Sequence, residues 1–238
     1  MPTTEARPAG VLVSTEGLSG AGKSHLTHLA AQRLDTDLLC VEEFSRRRHR
    51  RDDLGSRIIT ALAEAAAGDQ FLRAGAPASE SLLLLAVQMH TWETTRAALA
   101  AGATVIEGRS VHSVAVYQGA ALHPDDDRAA LARARLILTE AAAWRPLPEL
   151  VILLTDDPAR ALARAERRDR RRYTPEEHTV HRRCAALFEA LAADDPHRFR
   201  VLDRRAEPDP HAGAALMADW IRHARPQHGR PHLEGVPA

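Results

Sequence analysis

Five short apolar runs recur along the chain, at Val11–Thr15, Leu38–Val41, Thr104–Glu107, Leu150–Thr155 and Phe199–Leu202. Runs this short and this apolar read as strands covered on both faces rather than half-solvated ones. Longer stretches with helical period separate them, near Lys23–Leu34, Leu54–Ala74, Ser79–Ala101, Val111–Gly119, Arg128–Trp144, Pro158–Arg170, Pro175–Ala193 and His211–Ala224. Strand alternating with helix predicts an α/β fold, a five-stranded parallel sheet with helices on both faces. Ligands of such sheets collect at the carboxyl ends of the strands, so chemistry is expected just after each apolar run. No repeat or linker interrupts the pattern, and one domain over residues 1–224 is expected of a chain of 238. Beyond Ala224 the period is lost, and the tail 225–238 is expected to be disordered.

The first run leads into Gly17-Leu18-Ser19-Gly20-Ala21-Gly22-Lys23-Ser24, a glycine, four residues, then Gly-Lys-Ser. Glycines at these places let successive backbone N–H groups face phosphate oxygens, and a helix N-terminus behind them adds a favourable dipole. Lys23 is the one lysine among 32 basic residues. Its compact ammonium reaches β- and γ-phosphates where the planar fork of arginine would not fit. The Ser24 hydroxyl is placed to ligate Mg²⁺. A strand before and a helix after distinguish this segment from an ordinary glycine-rich turn. The fold class narrows to a P-loop NTPase, binding a nucleoside triphosphate.

The later strand ends carry charge. Glu42-Glu43-Phe44 follows the second run; either carboxylate, Glu43 by preference, is placed to take a proton from an acceptor hydroxyl, and pairing with the basic run Arg46–Arg51 is the plain alternative. The third run ends in Glu107-Gly108-Arg109-Ser110. There Glu107 would orient Mg²⁺ through water and Arg109 would hold the acceptor or the transferring group, a structural ion pair being the alternative. After the fourth run come Asp156-Asp157-Pro158, ordinary capping chemistry, and an arginine-rich helix. Arg160, Arg164, Arg167, Arg168 and Arg171 share roughly one face, so a lid at about 160–175 is expected to close over the triphosphate. Pairing with Glu166, Asp169, Glu176 and Glu177 would occupy some of them. On the helix before the third strand, Gln88, His90, Trp92 and Thr95 interrupt an apolar stripe, as a substrate-reading wall would, or as satisfied core groups would.

Composition mostly excludes. Net charge is zero, so no overall field points to nucleic acid or a membrane surface. No apolar run reaches the ~18 residues of a membrane span. Met1–Gly10 lacks the basic-then-apolar order of a secretion signal. Cys40 and Cys184 are expected to be reduced core residues, and the thirteen histidines are too scattered to suggest a metal site. A cytoplasmic protein is expected.

In this order the stations resemble the thymidylate kinases and the neighbouring deoxynucleoside kinases, from about Val11 to Trp220. Thr15–Ser24 is similar to the thymidylate kinase loop, with Ser19 where that family usually has Asp. Val105–Ser113, then Tyr117-Gln118-Gly119, is similar to its Asp-Arg-Tyr segment and the Ser…Ala-Tyr-Gln-Gly that follows. Pro148-Glu149-Leu150 and the arginine-rich lid also fit. The departures concern the acceptor. Glu42-Glu43-Phe44 stands for Arg-Glu-Pro, Val87 for a base-holding arginine, Gly108 for the Asp and Ser110 for the Tyr of Asp-Arg-Tyr. Glu43 and Arg109-Ser110 look instead like the base and the Glu-Arg-Ser segment of deoxynucleoside kinases. The resemblance implies an ATP- and Mg²⁺-dependent kinase whose acceptor is a nucleotide, a nucleoside or a related hydroxylated small molecule. It implies Arg109, Glu42, Glu43, Gln88, His90, Ser113, Tyr117 and Gln118 at the acceptor, Arg164, Arg168 and Arg170 on the transferring group, and a homodimer. A true thymidylate kinase and a regulatory ATPase are the alternatives. A guanine switch is not, because its Asn-Lys-x-Asp segment needs a second lysine.

Overall fold

The computed structural model describes residues 10–41, 43 and 53–224. Five parallel strands, β1 (Val11–Gly17), β2 (Leu38–Val41), β3 (Thr104–Gly108), β4 (Leu150–Thr155) and β5 (Phe199–Asp203), pair in the order β2-β3-β1-β4-β5. The helices are α1 (Lys23–Ala31), α2 (Leu54–Ala65), α3 (Pro77–Ala100), α4 (Val111–Leu122), α5 (Asp127–Ala142), α6 (Pro158–Asp169), α7 (Pro175–Asp194) and α8 (Pro210–Ala224). Every expected strand and helix forms, with shifted ends.

Alternation along β4 shows how the sheet divides the core. Leu150, Ile152 and Leu154 point into the layer made with α1 and α8, packing on Leu26, Met217 and Ile221. Val151 and Leu153 point the other way, onto Val116 of α4 and Leu187 and Phe188 of α7. This period-two split is what a strand buried on both faces requires. The phosphate loop is pinned by the same division: Leu18 enters the second layer and Ala21 the first.

Two expectations need correction. The helix expected over Leu54–Ala74 ends at Ala65. Ala67 and Gly68 turn left-handed (φ +49° and +93°), and Asp69 accepts the Phe71 and Arg73 amides at 2.8 and 3.2 Å. A glycine just past a helix followed by an aspartate that caps its own turn stops the helix there. Residues 70–72 are thereby swung into the site described below. Cys40, expected in the core, is exposed, because β2 is an edge strand; Cys184 is buried as expected.

Candidate active site

The phosphate loop is shaped by what its glycines avoid. Gly20 lies at φ +81°, and a Cβ there would sit 1.9 Å from the Ala161 carbonyl of α6. Gly22, at φ +95°, caps α1 with no side-chain acceptor on the first-turn amides. An uncapped N-terminus with open space in front of it suits a phosphate. Ser24 is exposed in the first turn of α1. Lys23 is buried, and its Nζ donates to the Gly17 and Leu18 carbonyls at 3.0 and 2.9 Å. Burial first, and the nearby Arg109 guanidinium next, push its ammonium down to about 7.

Beside this loop opens a cleft. Of the expected acceptor residues, Glu43, Arg109, Ser113, Tyr117 and Gln118 line it, together with Arg168. Glu43 lies between the two cations, 3.7 Å from Lys23 Nζ and 3.5 Å from Arg109 Nε. Arg109 donates to Ser19 Oγ at 3.1 Å and stacks over the Tyr117 ring at 5.3 Å. Gly108 provides room for this arrangement, since a Cβ there would meet Glu43 Cγ at 3.3 Å. An aspartate at 108, as the resembled family has, would crowd Glu43 in both space and charge. With Ser19 and Gly108 where the resembled family has acids, Glu43 is the one carboxylate among the described residues lining this cleft.

Other expected site residues serve elsewhere. Glu107 is bound by both oxygens to Arg145 Nη2, at 2.9 and 3.0 Å, with both side chains almost fully buried. This is the structural ion pair, the alternative to a Mg²⁺-orienting role. Gln88 faces away from the cleft, donating to the Arg109 carbonyl and accepting from Arg145, each at 3.2 Å. His90 packs against α2, with Nε2 3.5 Å from Asp53 Oδ1, and does not line the cleft. Glu42 lies outside the described residues. Truncating one member of a buried ion pair strands the other, so Arg145→Ala should cost about 3–5 kcal/mol. Urea unfolding with fluorescence detection measures it; a loss under about 1 kcal/mol would contradict the burial.

The lid arginines also separate. Arg164 Nε donates to Gly20 O at 2.7 Å and its Nη2 pairs with Asp156, so it braces the phosphate loop from beneath. Arg170 is the left-handed cap of α6 (φ +54°) and does not line the cleft. Arg171 and Arg172 pair with Glu177 and Glu166 at 2.9 and 3.1 Å. Arg168 alone of the three expected lid arginines borders the cleft.

Sequence reasoning missed Glu16, Gln70, Phe71 and Leu72. Glu16 is buried at the end of β1 and accepts from Ser110 N (2.7 Å), Ser110 Oγ (2.7 Å) and Ser113 Oγ (2.5 Å). Burial raises its carboxyl above the ordinary range against these bonds. They hold Arg109 in a left-handed turn, φ +66°, a strained conformation for a bulky side chain. A lone carboxylate directly after the first strand run was the signal for Glu16. Phe71 and Leu72 had none, being hidden in what reads as a helix.

A thymidylate kinase family model matches residues 15–209. The chain is 32% identical over 226 residues to the thymidylate kinase of Geobacter sulfurreducens, covering 92% of this chain and 99% of that protein. It is 33% identical over 222 residues to that of Thermomicrobium roseum, covering 90% and 97%. The crystal structure of Ehrlichia chaffeensis thymidylate kinase shares the fold, with a TM-score of 0.59 at 18% identity over 90% of this chain and 99% of that one.

Proposed function

This chain belongs to the thymidylate kinase family of P-loop phosphotransferases, and on that premise we propose that it moves the γ-phosphoryl group of ATP to a hydroxyl of a small acceptor rather than to a phosphate. Glu43 together with the residue before it carries the reading: where the resembled family has Arg-Glu this chain has Glu42-Glu43, an acid in place of the arginine that would meet an acceptor phosphate. An acceptor phosphate is a dianion and needs an uncommitted cation. Here Glu43 already stands 3.5 Å from Arg109 and would repel it. An alcohol needs the opposite, an acceptor for its proton.

The loop amides and Lys23 would hold the β- and γ-phosphates, with Lys23 turning outward from the Gly17 and Leu18 carbonyls. Ser24 would ligate Mg²⁺, which when bound screens the phosphate charge. Arg109 orients the acceptor, and Arg168 faces the charge on the transferring group. As the acceptor oxygen bonds to Pγ and the bond from Pγ to the bridging oxygen breaks, the hydroxyl proton passes to a Glu43 oxygen and then to solvent. The products are ADP and the phosphate ester. Phe71, Leu72, Leu84 and Val114 make the acceptor wall apolar, which suits a nucleoside base or a comparable ring.

A panel of nucleosides, nucleoside monophosphates and hydroxylated small molecules, incubated with Mg·ATP and read by mass spectrometry, tests this. A nucleoside or other alcohol should turn over fastest. Thymidylate as the best acceptor would overturn the hydroxyl reading, and ATP consumption equally fast without any acceptor would favour a regulatory ATPase. A homodimer is supported by the apolar groove between α3 and α5, where Leu82 and Trp144 are 69% and 74% exposed. Leu82→Glu should shift sedimentation from dimer to monomer; a wild-type monomer at micromolar concentration would refute it.

A further inference from the structure

Both tyrosines of the chain and two of its four phenylalanines form one train of ring contacts. Tyr117 stacks on Phe71 with centroids 5.5 Å apart, and Phe71 meets the edge of Tyr173 at 6.3 Å. One side of the train carries Arg109, over Tyr117, whose ring also meets Phe188 edge-on at 6.2 Å. The other side reaches the lid: Tyr173 Oη donates to Asp169 Oδ2 at 2.7 Å, and both Asp169 oxygens accept from Arg168, at 2.7 and 3.0 Å. Arg168 and Arg109 both line the cleft, and both lie close enough to Lys23 to weaken its hold on a proton.

We infer that Tyr173 is a positioning residue that sets Arg168 through Asp169, and that Phe71, seated against Tyr173, links occupancy of the acceptor wall to that setting. Tyr173 is suited to the task. It is buried, its amide donates to Glu166 Oε1 at 2.9 Å, and Arg171 covers its ring at 4.6 Å. Burial and the bond to Asp169 hold the phenol above its ordinary range, so it stays protonated and remains a donor. Asp169 is held below its ordinary range, chiefly by Arg168 and Tyr173 against its own burial, so it stays an acceptor. The acceptor loop is docked on the same platform, because the Gln70 amide donates to Glu177 Oε1 at 3.3 Å and Glu177 pairs with Arg171. A flexible arginine on a helix face would otherwise sample many rotamers; a two-oxygen clamp on a buried phenol removes most of them.

The test is a double-mutant cycle of Tyr173→Phe and Arg168→Ala. Tyr173→Phe keeps the ring and deletes one hydrogen bond. It should lower kcat by up to about 10²-fold, the scale of a misplaced catalytic group. KM for Mg·ATP and acceptor should stay within about twofold, since ground-state binding is untouched. In the Arg168→Ala background the same change should have no further effect on kcat, the non-additivity expected when one residue acts through the other. Equal losses in both backgrounds, or an unchanged kcat, would overturn the assignment. Melting temperatures of all four proteins separate a folding defect from mispositioning, and Asp169→Asn provides a second entry to the same cycle if Tyr173→Phe unfolds. Tyr173 acts on Arg168 whatever the acceptor, so the cycle is read with the best acceptor found, phosphorylated or not, and also on slow transfer to water. Failure of the hydroxyl reading would leave this result intact, and the reverse also holds.

Discussion

Lys23→Ala should lower phosphoryl transfer by at least about 10³-fold, the scale for losing a preorganised cation or donor in a water-poor site, while leaving the fold intact. The ammonium is buried and pushed down to about 7 by desolvation and by Arg109. Its folded pKa lies below its unfolded one, so Lys23 opposes folding at pH 7 and below. That penalty fades as pH rises toward the ordinary lysine value. The alanine variant should therefore melt at or above the wild-type temperature at pH 6–7, despite losing two bonds to loop carbonyls. Inactivity with undiminished stability is a pairing that a structural role would not produce. Lys23→Arg should be nearly as inactive, since a planar fork cannot occupy the place of a compact ammonium. The same depression makes donor binding pH-dependent. A triphosphate surrounds Lys23 with negative charge and raises its pKa, so binding takes up a proton above pH 7. Affinity should fall on raising the pH from 7, by as much as about tenfold per unit. Calorimetry in two buffers of different ionisation enthalpy reads the proton directly. Activity of Lys23→Ala within tenfold of wild type, or binding without proton uptake at pH 8, would refute the role.

How much of this was legible beforehand depends on how local the cause was. The sheet and the phosphate loop were readable because strand burial writes a period into the sequence and the Gly-Lys-Ser spacing has one mechanical purpose. Capping was readable for the same reason: Asp157 accepts the Arg160 amide at 2.9 Å, as an Asp-Pro start implies. The acceptor side was half legible. Glu43 and Arg109 follow strands, where chemistry collects, and both line the cleft. Phe71 was not legible, because the stop at Gly68–Asp69 depends on a side chain capping two amides across its own turn. The two readings of Glu107 could not be separated in the sequence because its partner, Arg145, lies 38 residues along the chain. A carboxylate at a strand end looks the same whether it faces a metal or a buried guanidinium. The arginines of α6 were indistinguishable as a stripe. What separates Arg168 from Arg164 is that Gly20 and Asp156 lie beneath one and the cleft opens beside the other.

Glu43→Gln should separate the two acceptor chemistries more sharply than any binding measurement. Glutamine keeps the size and one acceptor oxygen but cannot take a proton. With an alcohol acceptor the loss should be ~10²–10⁴-fold in kcat, with acceptor KM little changed. With a phosphate acceptor the change removes a repelling charge 3.5 Å from Arg109, so transfer should hold steady or improve. The sign of the effect, not merely its size, therefore identifies the acceptor class. A second consequence follows from the other cation. Glu43 supports the charged form of Lys23 against burial and Arg109. Its neutralisation should move the proton uptake that accompanies Mg·ATP binding to lower pH. Gly108→Asp is the complementary change, returning a carboxylate to a place where its Cβ alone would meet Glu43 Cγ at 3.3 Å. In wild type it should impair transfer by displacing Glu43. Combined with Glu43→Gln it should be tolerated better than alone, since one of two competing acids is gone. If instead Glu43→Gln leaves the phosphorylation of every alcohol at the wild-type rate, Glu43 is a spectator and the proton leaves by another route.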